Sequence, residues 1–197
     1  KTREGGVLRL ADLNRMALEE AEKKIGETGL SGDIGAEERE KIAALVARAA
    51  LRFADLMNVR TTNYVFDLDR FTSFEGKTGP YLLYAAVRIK SLLRRASEAG
   101  HAPGEIRVES DTERALVLAM DGFANALAQS HAKRQPHILC EHVYSLAQAF
   151  SALYAAHPIA NETDAALRAS RLGLCEAVLR QLEAGLGILG IEAPERM

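Results

Sequence analysis

Tyr84, Arg88, Ser91 and Arg95 recur at steps of three and four residues. In a helix of about 3.6 residues per turn that spacing gathers them on one narrow stripe. A phenol ring flanked by guanidinium groups can stack on an unpaired nucleobase and neutralise the phosphates beside it. On the same helix Leu82, Ala85, Ala86, Ile89, Leu92 and Leu93 share a separate arc that must face a core. The stripe also has a plainer reading, as a solvated basic face with Tyr84 packed at the edge of a bundle. Phosphate contacts are expected from Arg88, Lys90, Arg94 and Arg95, and base stacking from Tyr84. Tyr81 lies near the edge of the core arc, where packing and binding are both open. The same two readings hold for Tyr154, which ends a later apolar helix just before His157 and Pro158.

Other residue clusters imitate chemistry without its context. Gly185, Gly187 and Gly190 spell G-x-G-x-x-G, but a dinucleotide site needs that motif to open a helix after a strand. Here it closes a helix, so close packing and a helix stop are the better account. His137, Cys140 and Glu141 share a helical face while His142 points elsewhere, which leaves a structural zinc site short of its four ligands. Cys140 is read as ordinary buried packing. Asp67 and Asp69 lie on one side of an extended connector and are expected to pair with neighbouring Arg. No Ser-His-Asp or Cys-His arrangement has motif support.

The elements that must carry the stripe follow from periodicity. A short strand is expected at Val7, Leu8 and Leu10, and a helix from Leu10 to Ile25, with Leu13, Ala17, Ala21 and Ile25 four apart. A glycine-rich connector leads to a helix over Ala36–Met57, with glutamates in its first turns and Arg48 and Arg52 later. Tyr64, Phe66 and Leu68 then alternate with Val65, Asp67 and Asp69, a half-buried extended pattern. Pro80 opens the helix that bears the stripe and runs to Ala99. Ser110 with Glu113 fits a capping box for the next helix, whose buried stripe is Leu116, Met120, Phe123 and Leu127. Pro136 restarts the chain into a helix with Leu139, Val143, Leu146, Phe150 and Leu153. A last helix is expected from about Thr163 to Leu189. The expected architecture is all-α: an antiparallel bundle of four helices from about Pro80, preceded by two helices and a short extended connector.

The totals set outer limits. With 197 residues there is room for one domain, or for one domain plus a piece of a second. A 48% apolar share can bury a core, and a formal charge of −2 confines any polyanion site to a local patch. Two cysteines without short spacing suggest a reducing compartment. No apolar run reaches membrane-spanning length. Lys1 opens the chain without a Met, as expected of a fragment.

The run RTTNYVFDLDRFTSFEGKTGPYLLYAAVR, from Arg60, and the final RLGLCEAVLRQLEAGLGILGIEAPERM resemble the anticodon-binding region of arginyl-tRNA synthetases. The resemblance covers nearly the whole chain. It implies that residues 1–72 end a catalytic module and residues 73–197 form a helical anticodon-binding domain. In that family the Tyr and Arg at two of these motif positions approach the anticodon loop, and Tyr84 and Arg88 occupy them. By the same resemblance Tyr154 and Met197 lie near the anticodon; Arg95 and Tyr81 are further candidate RNA contacts from their place on the helix. Lys1, Thr2 and Arg3 resemble the end of the family's ATP loop, a degenerate form of Lys-Met-Ser-Lys-Ser, with Thr2 where the second lysine would stand. For the whole protein the resemblance implies ATP- and Mg2+-dependent ligation of arginine to tRNA(Arg) by a cytoplasmic monomer. This chain alone would lack the ATP and arginine sites. A non-catalytic helical interaction module, or the equivalent domain of another class I synthetase, is the alternative.

Overall fold

The computed structural model describes residues 9–28 and 34–197. The proposed ATP-loop residues Lys1, Thr2 and Arg3, and Val7 and Leu8 of the expected strand, lie outside the described residues, while Leu10, its third residue, is helical instead. Among the described residues, eight helical segments and no strand are present. They are α1 (Leu10–Thr28), α2 (Ala36–Leu56), the single turn α3 (Leu68–Phe71), α4 (Gly79–Glu98), α5 (Asp111–Asp121), α6 (Phe123–Lys133), α7 (His137–Ala156) and α8 (Ala165–Ile188). None is long and apolar enough to cross a membrane.

The all-α expectation therefore holds, with one difference in detail. The helix opened by Ser110 is divided at Gly122 into α5 and α6. At this break the backbone carbonyl of Met120 accepts a hydrogen bond at 3.0 Å from Nε2 of Gln181, a side chain of α8. The Met120 carbonyl thus accepts from α8 as well as from the Gly122 N–H, which ties the break to the rest of the bundle.

Helix α4 is the axle. Ala85, Ala86, Ile89 and Leu92 are buried as expected, and Leu83 and Val87 are buried as well. The helix is thus enclosed by α2 on one side and by α7 and α8 on others. Its start is fixed by Thr78, whose Oγ1 accepts from the Tyr81 N–H at 3.2 Å and donates to the Ser73 carbonyl at 2.6 Å. Pro80 fills the first turn, where its missing N–H costs nothing. Gly79 is required by packing. A Cβ there would lie 2.1 Å from the Ala49 carbonyl oxygen of α2, a backbone atom that cannot move aside. One apolar core runs from Ala17 and Ile25 of α1 through Phe53, Leu82 and Phe150 to Leu186 and Ile191.

Three sequence readings resolve here. Tyr64 and Phe66 both stack on Phe71, with centroids 6.2 and 5.2 Å away, while Val65 points out at 86% exposure. The alternation is present, but Tyr64 and Phe66 stay 38% and 36% exposed, and the extended course ends at Asp67, with Leu68 and Asp69 in the helical turn α3. Asp67 caps α3, and Asp69 pairs with Lys24 at 2.7 Å, so its partner is a lysine of α1 rather than an arginine. Gly185 lies against Val143, where a Cβ would come within 2.6 Å of Cγ2, and Gly190 takes φ +72 to end α8. The glycine motif is a packing and stop signal.

Candidate nucleic-acid interface

The stripe on α4 is graded from half-buried to open. Tyr84, Arg88 and Ser91 are half-buried, while Arg94 and Arg95 are exposed. Arg88 is not a bare cation. Its guanidinium carbon lies 4.7 Å from the centre of the Tyr154 ring, 5.4 Å from Phe150 and 5.6 Å from Tyr84. Rings attract a cation at such distances through their quadrupoles. Nη2 of Arg88 donates to Ser151 Oγ at 2.9 Å, and the Tyr81 hydroxyl meets the same Ser151 oxygen at 3.3 Å. Nε of Arg88 is buried without an acceptor.

Four aromatic rings from two helices are therefore organised around one guanidinium and one serine. The sequence stripe contained only the α4 half of this. Ser151 was not singled out, because its place one turn before Tyr154 has meaning only once α7 lies beside α4. Tyr81 packs within the bundle: its ring lies 5.6 Å from that of Tyr144 and its hydroxyl reaches Ser151. Tyr154 keeps 37% of its surface open and packs its ring on Phe150 at 5.9 Å.

Beyond Tyr154 the chain bends into a hollow of about 550 Å³, lined in part by Arg95, His101, Tyr154, His157 and Asn161. The loop that walls it, His157 to Thr163, is fixed by a second arginine. Arg171 is buried, with Nε on Glu113 Oε1 at 2.9 Å and Nη1 on Glu162 Oε2 at 2.7 Å and the Pro158 carbonyl at 3.0 Å. Its Nη2 meets His157 Nδ1 at 3.3 Å. Glu113 is fully buried and does two jobs. Its other oxygen closes the expected capping box by accepting from the Ser110 N–H at 3.0 Å, and from the Glu109 N–H at 2.7 Å. Burial pushes the Glu113 carboxyl pKa up, but Arg171 and these backbone donors outweigh it and hold it below the ordinary glutamate value.

Lys90 requires a correction. It was expected to meet phosphate, but its side chain is 10% exposed and paired with Glu183 at 2.8 Å and Glu195 at 2.7 Å. Burial pulls its pKa down, and the two carboxylates more than offset this and raise it. Its charge is committed inside the protein. The geometry leaves Arg94 and Arg95 as the open cations of α4, with Arg95 Nε on the Ser91 carbonyl at 3.3 Å. Met197 is half-buried against the core. Cys140 is fully buried, its thiol pushed up to about 12 by burial, and Glu141 pairs with Lys77. The described residues contain no group of three or more metal-binding side chains.

Two family models match the chain. Residues 82–197 match the DALR anticodon binding domain, and residues 1–68 match the class I (R) tRNA synthetase catalytic domain. The chain is 66% identical over its whole length to an arginine–tRNA ligase of Hyphomonas neptunium, of which it covers 33%. It is 59% identical to that of Maricaulis maris, covering 34%. The fold superposes on Thermus thermophilus arginyl-tRNA synthetase with a TM-score of 0.85 at 31% identity, over 98% of this chain and 33% of that one. The chain thus spans about a third of the length of the curated relatives it matches. A fold axle at α4, the match of residues 82–197 to the anticodon-binding model and that of residues 1–68 to the catalytic model lead to one conclusion: the chain belongs to the arginyl-tRNA synthetase family, as the C-terminal part that carries the DALR anticodon-binding domain.

Proposed function

We propose that this chain docks the anticodon region of tRNA(Arg) on the face shared by α4 and the end of α7. As part of a longer arginine–tRNA ligase it would position that tRNA for ATP-dependent arginylation. Residues 1–72 would complete the catalytic module and residues 73–197 would act as the anticodon-binding domain. ATP, Mg2+ and arginine would be held by the remainder of the enzyme, with Lys1, Thr2 and Arg3 at the edge of the ATP loop. The working form would be a cytoplasmic monomer.

The observation that carries this reading is the open edge of the aromatic cluster around Arg88. Tyr154 and Tyr84 present ring surface there, beside the exposed cations Arg94 and Arg95. Anticodon bases are unstacked and can be received on such rings, while the cations meet the backbone. Tyr81 and Met197 would border the same face. Arg88 would act less as a phosphate contact than as the cation that holds the rings in place.

Filter binding of tRNA(Arg) to the full-length enzyme tests this. Tyr84→Ala should weaken binding by about 1–3 kcal/mol, the worth of one base stacked on an aromatic ring. Wild-type affinity in Tyr84→Ala would remove this face from the docking surface. An equal gel shift with a scrambled hairpin would favour a general interaction module instead.

A further inference from the structure

The chain after α8 crosses the bundle as a strap. Ile191 and Pro194 are buried, and they are the last apolar anchors before Met197. Past Pro194 two ion pairs take over. Glu195 meets Lys90 of α4 at 2.7 Å, and Lys90 also donates to the Ala193 carbonyl at 3.4 Å. Arg196 lies on Glu38 in the first turns of α2, with Nε to Oε1 at 2.7 Å and Nη2 to Oε2 at 2.5 Å. This bidentate geometry fixes direction as well as distance. One clasp therefore belongs to α4 and the other to α2, on either side of the residue pair that precedes Met197.

Lys90 is suited to this work in a way an exposed lysine is not. It is nearly enclosed and is also held by Glu183 of α8 at 2.8 Å. The ammonium is thus fixed before the strap arrives, so little side-chain freedom is lost when Glu195 joins it.

We infer that Lys90 and Glu38 are positioning residues, which clasp the segment after Pro194 and thereby fix the place of Met197 for contact with RNA. The inference rests on the docking reading above for the part Met197 plays. It separates into a mechanical half, that the clasps hold the strap, and a functional half, that the held strap aids RNA binding.

Hydrogen–deuterium exchange on the full-length enzyme tests the mechanical half. Lys90→Met and Glu195→Gln should each speed exchange of residues 191–197 by about twofold or more, with the helices of the bundle unchanged. Glu195→Gln alters only an exposed side chain and leaves Lys90 on Glu183, so it remains informative if Lys90→Met misfolds. Glu38→Gln should act in the same direction. Unchanged exchange in both Glu195→Gln and Glu38→Gln overturns the clasp.

Aminoacylation kinetics test the functional half. Glu195→Gln should raise KM for tRNA(Arg) by about three- to tenfold with kcat within about twofold, the pattern of lost binding rather than lost chemistry. In a Met197→Ala background the same substitution should change KM by less than about twofold, because a residue that acts through another adds nothing once the other is gone. Fully multiplying effects would overturn action through Met197. If Met197→Ala alone leaves KM unchanged, the functional half fails along with the place of Met197 in the docking face. The Tyr84→Ala result judges the rest of that face independently.

Discussion

Arg171 and Arg88 are both drawn away from water, but by different company. Arg171 spends its guanidinium on two carboxylates, a backbone carbonyl and a histidine ring nitrogen. Arg88 donates one hydrogen bond, to Ser151, and is otherwise surrounded by ring faces, with Nε lacking an acceptor. A guanidinium has five N–H donors. The first arginine is nearly saturated and joins three stretches of chain. The second is oriented but unsaturated, at the edge of an opening. The contrast separates a cation spent wholly on internal partners from one left with an unused donor.

The strongest challenge to this comparison is Arg171→Met. It leaves the fully buried Glu113 without its cation, and the loss should be about 3–5 kcal/mol of stability in thermal or denaturant unfolding. A loss near zero would erase the distinction. Arg88→Met should behave oppositely, with stability within about 1 kcal/mol of wild type, since ring–cation attraction and the relief of an unpaired N–H nearly cancel. Its tRNA affinity should fall by about tenfold as the rings lose their organiser.

The pH response sharpens the same point. Glu113 is held below its ordinary pKa in the folded chain, so its contribution is complete above the ordinary glutamate range. It is lost as pH falls through the lowered folded value. Urea unfolding should show Glu113→Gln less stable than wild type at neutral pH, with the gap closing below that range. The smallest effect is expected from Arg95→Ala. The slope of log binding constant against log salt should become shallower by about 0.7–0.9, the loss of one phosphate contact.

Much of the fold was legible because helices declare themselves locally. Leu13, Ala17, Ala21 and Ile25 are four apart, and Ala17, Ala21 and Ile25 are buried. The capping box at Ser110 and Glu113 is a four-residue signal and was read as such. The second job of Glu113 was not, since its partner lies in α8, far along the chain, and nothing local distinguishes a capping glutamate from one that also neutralises a buried arginine. Lys90 was misread for the same reason. On the helix it looks like one more cation of a basic stretch, and only tertiary packing brings Glu183 and Glu195 to it. The division at Gly122 is not legible locally, since Gln181, which reaches the Met120 carbonyl there, also comes from α8. The pairing of Tyr84 with Arg88 is legible because their own helix places them together.

Gly79 carries a consequence for anyone who would exchange parts between synthetases. With no room for even a methyl group between α4 and the Ala49 carbonyl, the two backbones meet as a fitted joint. Cutting the chain at the seam between the two matched family segments would leave half of that joint behind. A graft of the bundle onto another catalytic half would need to bring Ala36–Leu56 along with it.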